Sequence, residues 1–194
     1  MSCRYIVLEG PDGSGTTTHA ALLAQRLTLA GRTVVSVAEP TGSGIGQMIR
    51  QLLREKTIPS AAAMQLLYCA DRALHMEKVV RPALERGDTV LSDRSLLSTL
   101  AYGQAFGLDV SWLRQVNAPF VEADVTILLL PPLDLCLERL ASQGKADAFE
   151  KREVQARVHA AYRDIAREDP RVHIVDSSAS KVETAAQIDA LIAR

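Results

Sequence analysis

The chain has 194 residues, of which 47% are apolar and 23% charged, and its formal net charge is −1. That length supports one well-buried domain and is short for two, and the mix is that of an ordinary globular protein. The near-zero charge excludes a global basic field for nucleic acid or anionic membrane, so an anion site must draw its positive potential locally. The three cysteines, Cys3, Cys69 and Cys136, are odd in number, widely spaced and without a C-x-x-C pair. They are expected as free thiols in a reducing compartment, with Cys69 and Cys136 in the core. No signal-peptide stretch and no apolar run of membrane-span length is seen, so the cytoplasm is the expected location and no membrane partner is expected.

In chain order, Tyr5–Leu8 is a continuous β-branched and apolar run that suits a buried parallel strand. A helix is expected over 16–30, with Leu22, Leu23, Leu27 and Ala30 on one stripe and Gly31 as its C-terminal cap. Thr33–Val37 reads as a strand ending in the turn-rich Glu39-Pro40-Thr41-Gly42. A short helix over 46–54 and a long one over 61–86, kinked near Pro82, come next. Strand 89–91 leads into Asp93-Arg94, followed by helices over 95–104 and 110–117 and a buried strand over 125–130. Helix 133–140, a polar break at 142–148, helix 149–167 and strand 172–175 complete the alternation, and Ser180 with Glu183 forms a capping box for a last helix. Strands spaced by helices predict a parallel sheet of about five strands with helices on both faces. In that three-layer α/β architecture ligands sit at the carboxyl ends of the strands. Glu9–Thr17, Glu39–Gly42, Ser92–Arg94 and Asp176 all fall there.

Residues 10–18 read Gly-Pro-Asp-Gly-Ser-Gly-Thr-Thr-Thr. Gly10, Gly15 and Thr17 fit the phosphate-loop pattern G-x-x-x-x-G-K-[ST], but its lysine position holds Thr16. The glycines, Gly13 among them, let backbone N–H groups of Gly10 to Thr18, including those of Asp12, Ser14 and Thr16, converge on a nucleotide polyphosphate at a helix N-terminus. Thr17 stands at the hydroxyl position for Mg²⁺, whereas Thr16 brings no charge. Losing such a donor typically costs about 10²–10³ in rate. His19 is a poor substitute and reads as a surface residue, because a helix N-terminus disfavours imidazolium. Asp93 suits a metal and Arg94 a phosphate, although the dipeptide also reads as a surface ion pair. Asp12, an acid inside the loop, reads either as a contact to a substrate hydroxyl or metal, or as a turn former.

Glu9-Gly10-Pro11-Asp12-Gly13-Ser14-Gly15, the stretch Leu66–His75, and Asp93-Arg94-Ser95 with Ser98, Ala101 and Tyr102 together resemble the thymidylate kinase family across nearly the whole chain. The resemblance implies a P-loop NTPase fold, one nucleoside monophosphate kinase domain over 1–194 with a lid at about 141–150, and a homodimer built on the long helix. It implies transfer of the γ-phosphoryl of ATP to dTMP with Mg²⁺. Tyr68 would stack on thymine, Arg72 would hydrogen-bond the base, Arg94 would hold the acceptor phosphate and Tyr102 would crowd the sugar. Ser98 and Gln104 would lie near the base, with Glu39 and Asp12 also at the dTMP site and Thr17 and Asp93 at the metal. Tyr68 also reads as a core aromatic and Arg72 as a surface partner on its helix.

The chain departs from the family pattern on the donor side. Besides Thr16, the lid positions Ala141, Gln143 and Ala148 stand where relatives carry arginines. Lys145, with Lys151 or Arg152, is therefore expected to bring the missing charge on lid closure, and Lys145 is read as catalytic. A kinase of another nucleoside monophosphate and a catalytically impaired nucleotide-binding homologue are the alternatives.

Overall fold

The computed structural model describes residues 4–55, 59–144 and 152–193. Five strands, β1 (Tyr5–Glu9), β2 (Val34–Ala38), β3 (Thr89–Asp93), β4 (Val125–Leu129) and β5 (Val172–Val175), form one parallel sheet in the order β2-β3-β1-β4-β5. The helices are α1 (Thr16–Leu29), α2 (Gly44–Glu55), α3 (Ala61–His75), α4 (Arg81–Glu85), α5 (Leu96–Ala105), α6 (Val110–Asn117), α7 (Leu133–Ser142), α8 (Arg152–Glu168) and α9 (Lys181–Ile192). This is the three-layer α/β architecture expected from the alternation of elements.

The period of two along β1 sends alternate side chains to opposite faces. Ile6 and Leu8 pack with Leu23 and Leu27 of α1 and Ile188 of α9. Tyr5 and Val7 pack on the other face with Met76, Val80 and Ala83. Glu9 shares that second face by register and is completely buried. A third cluster joins α5, α6 and α8 around Leu100, Leu113 and Tyr162. Truncating a fully buried leucine in these layers, Leu8 for example, costs about 2–5 kcal/mol.

Local signals account for most boundaries. The Ser180–Glu183 capping box forms as expected. Ser60 caps α3 and Asp109 caps α6 through their side chains. The expected long helix is interrupted close to Pro82. It changes to a π turn over Met76–Val80, ahead of the proline at the start of α4. Widening the turn relieves the clash that the proline ring would make with the carbonyl four residues back. Two cores of expectation are corrected. Cys136 is buried but Cys69 is only half-buried, its thiol donating to the Val116 carbonyl at 3.3 Å. His19 is buried rather than exposed, because it continues the α1 stripe of Leu23 and Leu27.

Candidate active site

β1 ends at Glu9, and the chain turns through Gly10–Gly15 into α1. Gly13 and Gly15 hold φ of +84° and +97°, and a side chain at Gly13 would collide with the Cys136 carbonyl at 2.3 Å. Only glycine fits there. Gly15 is the N-cap of α1 and no side chain caps the helix. Its first amides, from Thr16 to Thr18, are thus left to an anion, with the positive end of the helix dipole behind them. Thr16 is 5% exposed, and Thr17 and Thr18 are exposed. The Ser14 amide is used within the loop, donating to Pro11 O at 3.1 Å.

β3 pairs with β1 so that Leu8 lies opposite Asp93. Thr17 Oγ1 donates to Asp93 Oδ2 at 2.6 Å, while Asp93 Oδ1 is buried without a hydrogen-bond partner. An orphaned carboxylate oxygen beside a hydroxyl at a phosphate loop fits a hard cation that keeps its waters and its phosphate ligands. No group of three or more acidic, histidine or cysteine ligands occurs among the described residues. Mg²⁺ held through substrate phosphates needs none.

Arg94 follows directly. Among the described residues it is the non-glycine one with positive φ, +72°. Three bonds hold this junction: Arg94 N to Leu8 O at 2.8 Å, Ser92 Oγ to Arg94 O at 2.7 Å, and Ser95 N to Glu9 Oε1 at 2.8 Å. The guanidinium is thereby aimed at Asp12 Oδ1, 2.6 Å away, and lies 6.0 Å from the centroid of the Tyr102 ring. Burial and then the Asp12 charge push the Tyr102 phenol up to about 12. Burial likewise raises that of Tyr68, whose charged neighbours are Arg94, Asp12, Arg50 and Asp71. Both rings are neutral at pH 7. Asp12, Arg94 and Tyr102 therefore meet beside the phosphate loop, with Tyr68 within electrostatic reach of Arg94 and Asp12.

Glu9 sits under this space. Its carboxylate accepts from the Ser95 and Ser98 amides at 2.8 and 3.1 Å, from Ser98 Oγ, and from Tyr162 Oη at 3.4 Å. Burial raises its pKa above the ordinary carboxylate range, with the Ser98 hydroxyl and Arg94 acting the other way. Ser98 Oγ is committed to Glu9 and Tyr162. Gln104, two residues beyond Tyr102, falls about 200° around α5 from it and is exposed, apart from the cluster.

Arg72 and Glu39 form a closed buried pair. Arg72 Nε and Nη2 meet Glu39 Oε2 at 2.9 and 2.7 Å, and the guanidinium also reaches Asn117 and Thr99. His75 Nδ1 lies 3.2 Å from Glu39 Oε1. Burial would raise the Glu39 carboxyl, but Arg72 and then His75 hold it below its ordinary value. Arg72 is 2% exposed, so the reading of it as a surface partner is corrected. Beneath it a cavity of about 290 Å³ runs between the sheet, α5 and α6, and Arg72, Ser95 and Asn117 reach into it. Asp12 and Arg94 do not line this cavity.

Sequence reasoning missed Arg50 and Tyr162, and placed Glu9 and Arg139 by motif without their contacts. Arg50 on α2 donates to the carbonyls of Pro40 and Thr41 and faces Tyr68. Its signal was a cation next to the buried Ile49, on the inward edge of an amphipathic helix. The other three are tied to the site by contacts across the sheet that no local spacing encodes. Lys145 and Lys151 lie outside the described residues, and Arg152 pairs with Asp134 at 2.7 Å. No helix among the described residues is long and apolar enough to cross a membrane.

The family model for thymidylate kinase matches residues 8–188. A probable thymidylate kinase of Pyrococcus horikoshii is 39% identical over 194 residues, covering 97% of this chain and 95% of that protein. The thymidylate kinase of Bordetella petrii is 40% identical, covering 96% and 93%. That of Leifsonia xyli subsp. xyli is 43% identical, covering 95% and 91%.

Proposed function

We infer the function from one premise: the chain belongs to the thymidylate kinase family. It is a nucleoside monophosphate kinase that moves the γ-phosphoryl of ATP to dTMP, giving dTDP and ADP for dTTP synthesis. The observation that carries this reading is the joint placement of Asp12, Arg94 and Tyr102 beside an uncapped phosphate loop.

Phosphoryl transfer passes through a loose transition state and depends on positioning and charge neutralisation. The loop amides and the α1 N-terminus hold the donor polyphosphate. Arg94 holds the phosphate of dTMP, with Asp12 fixing the guanidinium and meeting the substrate. An oxygen of that phosphate attacks the γ-phosphorus, and the bond to the β,γ-bridging oxygen breaks to release ADP. No general base is required, because the attacking oxygen is already ionised at pH 7. Tyr68 stacks on the base as a neutral ring. Tyr102 closes the sugar side, with Glu39 and Arg72 bracing the wall behind them. Thr17 and Asp93 would hold Mg²⁺, which when bound neutralises charge on the phosphate oxygens.

We read the chain as one domain; the lid expected at 141–150 falls mostly outside the described residues. We also read it as a homodimer, supported by exposed Met48 and Leu53 on α2, Leu66 on α3 and Val79 in the π turn. Sedimentation at micromolar concentration tests the latter, and a monomer at all concentrations counts against it.

Thr16 favours a second reading, a nucleotide binder with impaired turnover. Product formation from ATP with dTMP, dUMP, dCMP or dGMP, across a range of Mg²⁺, separates the readings. Turnover selective for dTMP is expected. Tight binding of ATP and dTMP without product would support the impaired binder, and preference for another acceptor would move the specificity.

A further inference from the structure

We propose that the cavity beneath Arg72 is a second small-molecule site, that it takes an uncharged bicyclic ring compound carrying one hydrogen-bonding oxygen, and that its occupant tightens the binding of dTMP. The site itself goes beyond the kinase reading above, and its link to dTMP rests on that reading.

The cavity measures about 290 Å³. An apolar cavity of about 150 Å³ holds benzene, so this one has room for a fused pair of rings. Val7, Met76, Leu97, Leu100, Phe120 and Ile165 give it apolar walls. Met76 also opens the π turn, a feature that recurs at functional sites. Asp12, Tyr68, Arg94 and Tyr102 are not among its lining residues, so it is a separate space from the acceptor site.

Charge decides what it can take. The outer lining carries two arginines, Arg114 and Arg171, and two carboxylates, Glu122 and Asp169. Arg171 is bound by Glu122 and, at 3.1 Å, by Asp169, which also feels the charge of Arg114. Inside, Arg72 is balanced by Glu39 at 2.7 Å and donates from Nη1 to Asn117. Glu9, an acid in the same lining, offers an anion no attraction. The charges cancel in pairs, so a phosphate or carboxylate would lose its hydration here without compensation.

Tyr5 sets the polar end. Among the described lining residues it is the one whose buried polar atom, Oη, has no hydrogen-bond partner. Burial pushes the phenol up to about 12 and the Ser95 side chain acts the other way, yet the two form no bond in this geometry. A buried hydroxyl left unpaired costs stability, and one ligand oxygen beside Tyr5 and Ser95 would relieve it.

The link to dTMP runs through shared walls. Arg72 lines the cavity and also donates to Thr99 Oγ1 at 3.0 Å. Ser95 lines it as well, directly follows Arg94, and donates from its amide to Glu9 at 2.8 Å. A ring seated beneath them restrains groups that dTMP also needs in place, so each ligand favours the other.

The test uses 2-naphthol, titrated by calorimetry into the whole chain with and without dTMP. Saturable binding of one molecule per chain is expected. dTMP should raise the affinity for 2-naphthol about fivefold, and 2-naphthol should raise that for dTMP by the same factor. 2-Naphthoate, a charged compound with the same rings, should bind about tenfold more weakly or worse. Tyr5→Phe should weaken 2-naphthol by about three- to tenfold, the loss of one hydrogen bond, and should melt no lower than the parent because it deletes an unpaired group. Ala123→Leu fills the cavity from its wall and should abolish binding, and Val121→Phe serves the same purpose should that variant not fold. Absence of saturable binding overturns the proposal. So does competition between 2-naphthol and dTMP, a dTMP affinity that 2-naphthol leaves unchanged, or equal binding by the filled variant. Binding of 2-naphthoate as tight as that of 2-naphthol, or a Tyr5→Phe chain of reduced melting temperature, overturns it too. If 2-naphthol binds but dTMP does not, the acceptor reading falls and the coupling with it. Normal binding of dTMP with none of 2-naphthol removes only this inference.

Discussion

Arg94 and Asp12 meet at 2.6 Å across the gap between the end of β3 and the phosphate loop, although 82 positions separate them. The carboxylate holds one edge of the guanidinium and leaves the rest for a second anion. Replacing Arg94 by lysine keeps the charge but loses the planar fork. We expect kcat/KM for dTMP to fall by about 10²–10³ while affinity for an ATP analogue changes less than about threefold. Steady-state kinetics beside calorimetry would show it, and an equal loss for both substrates would speak against an acceptor role.

Asp93 carries the unpartnered buried oxygen next to Thr17. With Asp93→Asn the site loses the carboxylate beside Thr17. The Mg²⁺ concentration for half-maximal activity should rise about tenfold or more, the penalty typical of disturbing a metal's supporting shell. A titration of rate against Mg²⁺ at saturating nucleotide measures this. An unchanged midpoint would remove Asp93 from the metal.

Glu39 balances buried Arg72. Glu39→Gln leaves that guanidinium without its counter-charge and should destabilise the fold by about 3–5 kcal/mol in urea unfolding. The pH dependence has a definite sign. Because the folded carboxyl titrates below its ordinary value of 4.5, its contribution is present above 4.5 and disappears as pH falls through the folded value. Parent and variant stabilities should therefore converge in acid.

Glu9 behaves in the opposite sense. Its folded pKa lies above 4.5, so the folded state holds the proton more tightly and stability declines as pH rises from 4.5 through the folded value. Glu9→Gln should be more stable than the parent at pH 7, an advantage that vanishes toward pH 4.5. It should also lose activity toward dTMP, because the Ser95 amide after the left-handed Arg94 would be held less firmly. A variant both less stable at pH 7 and fully active would refute this trade of stability for geometry.

The sheet and the phosphate loop could be read from the chain because their signals are local. Tyr5–Leu8 shows a buried strand, and the glycine spacing shows the turn that follows it. Tyr68, Arg94 and Tyr102 were legible as family motifs. The buried carboxylate of Glu9 was not, since its partners Ser95, Ser98 and Tyr162 come from two helices far along the chain. Arg139 was legible as a family lid position, but its bonds go to backbone carbonyls that spacing does not specify. His19 could have been placed, as it stands four positions before Leu23 and eight before Leu27 on one face of α1. The helix-end argument about its charge drew attention away from that spacing.

The two reactant anchors leave the sheet from adjacent rungs, Leu8 opposite Asp93, with Arg94 N tied to Leu8 O at 2.8 Å. Neighbouring strands stand about 4.8 Å apart in any hydrogen-bonded sheet. The separation of donor and acceptor is therefore a lattice constant of the scaffold, not a property of a hinge. Sequence drift away from these two strands leaves the ruler between its substrates fixed.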